Sequence, residues 1–159
     1  FTMKQYLALI LMLTFCSWLP AQQNGLPATR PADFTLSFHF DGGMSYRFEE
    51  ITITKDSCIS KVNEQGKLLV CRFKLSASAL DSLYTMLQQN QFTQIEYRSG
   101  GQVYDRGGEK ITIGWNNNQQ RYTVNDSQNS FVQKAWFIQW NAIIDYVTRL
   151  APNNKIIFD

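Results

Sequence analysis

Residues 67–89 read KLLVCRFKLSASALDSLYTMLQQ, and the hydrophobic period changes inside them. Leu69, Cys71, Phe73 and Leu75 recur at every second position, the spacing of a strand with one face turned inward. From Ser76 onward the recurrence is three and four: Leu80, Leu83, Tyr84 and Leu87 form the apolar stripe of a helix. Ser76 is placed to cap that helix, Leu75 and Leu80 to staple its entry, and Asn90 to end it. A strand that hands over directly to a helix excludes both all-β and all-α architectures.

Upstream, NEQGK separates that strand from CISKV, which predicts a hairpin over residues 57–75. With the turn centred between Glu64 and Gln65, Val62 faces Lys67, Ser60 faces Leu69 and Cys58 faces Cys71. Opposed residues at a non-hydrogen-bonded position come close enough for a disulfide, so the spacing predicts a Cys58–Cys71 staple. Further upstream, Phe34, Leu36, Phe38 and Phe40 alternate with Thr35, Ser37 and His39, which predicts a half-buried strand with His39 on its polar side. Asp41-Gly42-Gly43 turns into SYRFEEITIT, a second strand. Ile51 and Ile53 are out of phase with Cys58, so Lys55-Asp56-Ser57 must turn or bulge.

Downstream, residues 92–98 form a candidate short strand, and RSGGQVYDRGGEK brings two diglycines. Ile111, Ile113 and Trp115 share one face of a further strand, and Asn116 to Gln120 turn it back into Arg121 to Val124. A long helix is expected from about Ser130 to Leu150, stopped by Pro152. On it Val132, Trp136, Ile143, Val147 and Leu150 make one seam, while Phe137, Trp140 and Ile144 lie about 100° around it. One sheet does not readily bury both stripes. The C-terminal Ile156, Ile157 and Phe158 can cover the second, or a partner can. The sum is an α+β domain: an antiparallel β-sheet with two α-helices packed on one face.

The chain begins FTMKQYLALILMLTFCSWLPA, in which Lys4 precedes an apolar run and then small, turn-forming residues, the layout of a secretory signal peptide over residues 1–21. The run is shorter than the roughly 20 residues that cross a bilayer, and no later segment is apolar for that long, so no transmembrane helix is expected after signal removal. Cleavage after Ala21 is the preferred reading, with lipid attachment at Cys16 as the alternative. Residues 22–32 (QQNGLPATRPA) read as a flexible tether and residues 33–159 as a single α+β domain. Export leaves Cys58 and Cys71 as an even pair in an oxidising compartment, periplasmic or extracellular, which supports the staple over a redox or metal role.

Chemistry is narrowed by what the chain lacks. Fifteen Lys and Arg against thirteen Asp and Glu, scattered singly, give a net charge of +2 and no electrostatic case for nucleic acid. No phosphate loop, dinucleotide fingerprint, H-E-x-x-H pair or G-x-S-x-G elbow occurs, so no cofactor is expected. Two cysteines and one histidine fall short of a zinc set, and no metal ligands are assigned. Two surfaces remain as candidate binding sites. One is the glycine loop, where Tyr104, Asp105 and Arg106 supply an aromatic ring, an acid and a bidentate donor. The other is the Phe137 and Trp140 side of the last helix.

The order of an N-terminal hairpin region, LSASALDSLYTMLQQNQF, YDRGGEKITIGW and a closing amphipathic helix resembles small exported domains of Gram-negative bacteria, Bacteroidetes-like ones especially, over roughly Asp33 to Leu150. The resemblance implies an envelope location and carries over no catalytic residue. The expectation is a non-enzymatic secreted or envelope-associated domain that binds a protein, peptide or surface polymer. A small hydrolase using carboxylates the sequence cannot place, or a purely structural accessory domain, are the alternatives.

Overall fold

A computed structural model describes residues 25–101 and 103–152. The expected signal peptide and the C-terminal Ile156 to Phe158 lie outside the described residues. Six strands form one sheet in the order β4-β3-β2-β1-β6-β7: β1 (Thr35–Asp41), β2 (Phe48–Ile53), β3 (Cys58–Glu64), β4 (Lys67–Phe73), β6 (Gly108–Trp115) and β7 (Gln120–Asp126). Every neighbouring pair is antiparallel. A second, two-stranded ribbon joins β5 (Tyr97–Ser99) to β8 (Ser130–Val132), and the helices are α1 (Ala77–Gln89) and α2 (Phe137–Leu150).

Alternation decides which face of the sheet is covered. Leu36 and Phe38 of β1, Ile51 and Ile53 of β2, Ile111 and Ile113 of β6 and Val124 of β7 all turn the same way, into a core shared with both helices. Helix α1 contributes Leu80, Leu83, Tyr84 and Leu87, and its Ser76 cap accepts from the Ala79 amide at 3.1 Å. Helix α2 contributes Trp140, Ile143 and Val147. The residues between, Ser37, His39, Lys110 and their neighbours, form an opposite face that neither helix covers.

Four expectations are corrected. The hairpin turns through Gln65 and Gly66, both at positive φ (52° and 79°), so that Glu64 pairs with Lys67, Ser60 with Cys71 and Cys58 with Phe73. A two-residue turn of this kind matches strand twist and needs left-handed residues, which the glycine supplies. Moving the turn centre by one residue shifts the pairing by two, and Cys58 and Cys71 become diagonal neighbours, too far apart for a disulfide. Both are free thiols, Cys58 buried and Cys71 half-buried.

The last helix begins at Phe137, seven positions later than expected, because residues 130–132 are spent on pairing with β5 and the Gln133 amide donates to the Glu96 carbonyl at 3.0 Å. Trp140 is consequently a core residue, 2% exposed, in line with Ile143 and Val147 at helical spacing. Its candidacy as a surface ligand residue fails.

Residues 92–94 are a 3₁₀ turn that buries Phe92, and only Tyr97 onward is strand. Finally, residues 25–32 are docked, not a free tether. Leu26 packs on the core, the Pro27 carbonyl accepts from Tyr84 Oη at 2.9 Å and Gln88 Nε2 at 2.7 Å, and Arg30 Nε meets Asp81 at 2.8 Å. Burial pushes the Tyr84 hydroxyl up to about 12, so it stays a donor at any physiological pH.

Candidate functional site

Beside the last turn of the glycine loop, the β5–β8 ribbon and the start of α2 enclose a cleft of about 730 Å³. That volume lies in the range of small-ligand and peptide sites. Its walls bring together Arg98 and Gly100 of the β5 end, Arg106 of the glycine loop, Phe131 of β8, and Lys134 and Phe137 at the entry to α2. Two of the residues singled out in the sequence, Arg106 and Phe137, thus meet in one place although 31 positions separate them.

Arg106 is not a free donor there. Its Nη2 binds Asp126 Oδ1 at 2.6 Å, its Nη1 donates to the carbonyls of Ser127 and Ser130, and its guanidinium lies 4.6 Å over the Phe131 ring. Asp126 also accepts from the Val132 amide at 3.3 Å. The fork of a guanidinium suits this work, since it can hold a carboxylate and two carbonyls at once. Arg106 therefore fixes the 127–130 turn and one wall of the cleft, a positioning role in place of the expected ligand contact.

The charge the cleft offers comes from Arg98 and Lys134. Both are exposed, and neither has an acidic partner among the described residues. With Arg106 neutralised by Asp126, the cleft keeps two positive charges beside the faces of Phe131 and the 45% exposed Phe137. The sequence does not single out these two cations, since Arg98 belongs to a three-residue strand and Lys134 falls within the span expected to be helix. Only the pairing of β5 with β8, a contact across more than 30 positions, puts them together.

Tyr104 and Asp105 do not line this cleft. Both are exposed, Tyr104 by 76%, at the tip of a loop seated against the Gly42–Gly43 turn. A Cβ on Gly43 would stand 2.6 Å from the Asp105 carbonyl, so glycine there is what allows the two loops to touch.

Two carboxylates hold unusual positions. Glu49 and Glu109 both pair with Phe40, one from each side, at the rim of the core. Burial raises the Glu109 pKa, and Asp126 opposite adds to the rise while Arg106 counters it; burial raises Glu49 against the opposing charge of Arg47. A carboxyl whose folded pKa is raised binds protons more readily when folded. Stability therefore falls as pH climbs from the ordinary glutamate value of 4.5 through the raised values. Glu49→Gln and Glu109→Gln are expected to raise the unfolding midpoint at pH 7 and to flatten its decline between mildly acidic and neutral pH. Urea titrations across that interval measure both effects.

Among the described residues no group of three or more His, Cys, Asp or Glu is placed to hold a metal ion, and no helix is long and apolar enough to cross a membrane. Comparison with family models and with curated proteins gives no match for this chain.

Proposed function

We propose that the chain is a non-enzymatic exported domain that binds an acidic segment of a protein or peptide in the cleft between the β5–β8 ribbon and α2. The observation that carries this reading is the unneutralised pair Arg98 and Lys134 beside the exposed Phe137 and the half-buried Phe131. Cations next to exposed rings favour a ligand that brings both carboxylates and apolar side chains. The leading sequence and the resemblance to envelope domains support an exported setting, where such a partner would be a neighbouring envelope protein.

Fluorescence polarisation with a labelled peptide alternating glutamate and phenylalanine, and with its lysine counterpart, tests the proposal. The acidic peptide should bind and the basic one should not. Binding should weaken several-fold as salt rises from about 0.05 to 0.3 M, as screening of exposed charges requires. Arg98→Glu combined with Lys134→Glu should weaken it by about tenfold or more with no change in thermal unfolding. Equal binding of both peptides, or of wild type and double variant, overturns it.

A second reading, hydrolysis by paired acids, draws on Glu49 and Glu109. They stand two strands apart, roughly 9.5 Å by strand spacing, with the Phe40 ring between them. The Gln variants described above also test this reading, since a hydrolase would lose its activity in either one.

A further inference from the structure

The uncovered face of the sheet is not a uniform surface. One row across five strands runs Lys61, Glu50, His39, Lys110, Asn125, and the next runs Asn63, Phe48, Asp41, Gly108. Two clefts, of about 520 and 310 Å³, lie on this face, and His39 and Asp41 line both. Together they make one groove from Asn63 on β3 to Asn125 on β7, four strand spacings or roughly 19 Å long.

Three features say what would fill it. First, its charges are balanced: Glu50 lies 3.2 Å from Lys61 Nζ and 3.7 Å from His39 Nδ1, and the Asp41 carboxylate accepts from the Gly43 amide at 2.8 Å, with Lys110 and Arg47 to offset the acids. A polyanion or polycation gains no net attraction there. Second, Asn63 Oδ1 is buried at one end and accepts no hydrogen bond. An unmet buried acceptor is costly, and a ligand donor placed against it recovers that cost. Third, Tyr46 stands on the groove wall 86% exposed, at a left-handed φ of 51°. A short turn holds it there, in which the Gly42 amide donates to the Arg47 carbonyl at 2.7 Å and Ser45 Oγ to the Gly42 carbonyl at 3.0 Å. Non-glycine residues adopt that conformation only when the surrounding structure fixes it, so the ring is presented on a defined support.

We propose that this groove binds a neutral, hydroxyl-rich chain, a short oligosaccharide, with Tyr46 as the platform for a sugar ring and Asn63, His39, Asp41, Lys110 and Asn125 as its hydrogen-bonding partners. A hydroxyl both donates and accepts, which suits the row of Lys61, Glu50, His39, Lys110 and Asn125, where donors and acceptors are mixed. A peptide strand would find no unpaired backbone on the face of a sheet, only at an edge. The groove adjoins the cleft of Arg98 and Lys134 at Arg106, which lines both, but its proposed hydrogen-bonding partners do not line that cleft.

The test is a titration of the isotope-labelled full chain with neutral cello-, chito-, malto- and xylo-oligosaccharides, followed by amide and side-chain NMR shifts, with polygalacturonate oligomers as the charged comparison. At least one neutral series should move the signals of Asn63, His39, Lys110 and Asn125. Tyr46→Ala and Asn63→Leu should each weaken that binding, by about threefold to tenfold for the lost hydrogen bond at Asn63. Asn63→Leu should keep its unfolding midpoint, because it removes an unmet acceptor, and Tyr46→Ala alters only an exposed side chain. Arg98→Glu with Lys134→Glu should leave sugar binding unchanged. Shifts with the charged oligomers alone, no shifts with any neutral series, or equal shifts in Tyr46→Ala overturn the proposal.

Discussion

Replacing Trp140 by alanine should cost about 3–5 kcal/mol of stability, the range found for large aromatic truncations in a packed core. The indole is 2% exposed and is among the largest fully buried side chains, packed with Ile143 and Val147 against the sheet. A domain of this size holds only about 5–15 kcal/mol in total, so the variant should unfold roughly 10 °C or more below the wild type. Phenylalanine at the same position should cost well under half as much. Trp140 Nε1 is buried with no hydrogen-bond partner, and phenylalanine removes that unmet donor, worth about 1–3 kcal/mol, while giving up part of the ring volume. Urea unfolding of the two variants separates the contributions. An alanine variant within about 1 kcal/mol of wild type would mean that α2 does not close the core.

Trp140 also marks where local pattern stops being informative. The stripe of α1 is read correctly from residues 80, 83, 84 and 87 because its period, its Ser76 cap and its Asn90 end all lie within one short segment. The strands containing Phe34 to Phe40 and Ile111 to Trp115 are equally local, and both bury the side that alternation assigns. The last helix is different. Phe131 and Val132 satisfy helical spacing on paper, but they also favour a strand, and the decision falls to β5, which offers them a ladder. Starting the helix at Ser130 rather than Phe137 divides its apolar residues into two stripes. Started where it does start, Trp140, Ile143 and Val147 are one buried seam.

The hairpin fails for a smaller reason. Asn63 to Lys67 offers two turn centres, and the glycine at 66 selects the one in which two left-handed residues sit side by side. The face assignment of Leu69, Cys71 and Phe73 survives, since a shift of two keeps parity. The disulfide does not survive, because it depends on the partner and not on the face. The candidate site divides in the same way. Arg106 and Phe137 are visible as residue types in suggestive places, whereas Arg98, Lys134 and Asn63 acquire meaning only from strands that meet across the fold.

Removing the Arg106 side chain should be nearly as damaging as removing Trp140, about 2–4 kcal/mol for Arg106→Ala, although the residue belongs to a loop. Truncation leaves Asp126, 16% exposed, without its cation and the Ser127 and Ser130 carbonyls without a donor, and it takes the guanidinium off the Phe131 ring. Lysine should rescue only part of this, since an ammonium on a flexible stem cannot hold a carboxylate and two carbonyls in one plane. A double-mutant cycle with Asp126→Asn should return a coupling of about 1–3 kcal/mol. Hydrogen exchange should localise the loss to β8 and the 127–130 turn, leaving β1 to β4 protected. The sign of the pH dependence offers an independent check. Arg106 is the cation that holds Glu109 down against burial and Asp126, so without it the Glu109 carboxyl rises further. The window in which stability falls with rising pH then extends to higher pH, and Arg106→Ala should lose more stability at pH 7 than at pH 5. A loss independent of pH would assign the effect to the lost carbonyl hydrogen bonds and the packing on Phe131, with no contribution through Glu109.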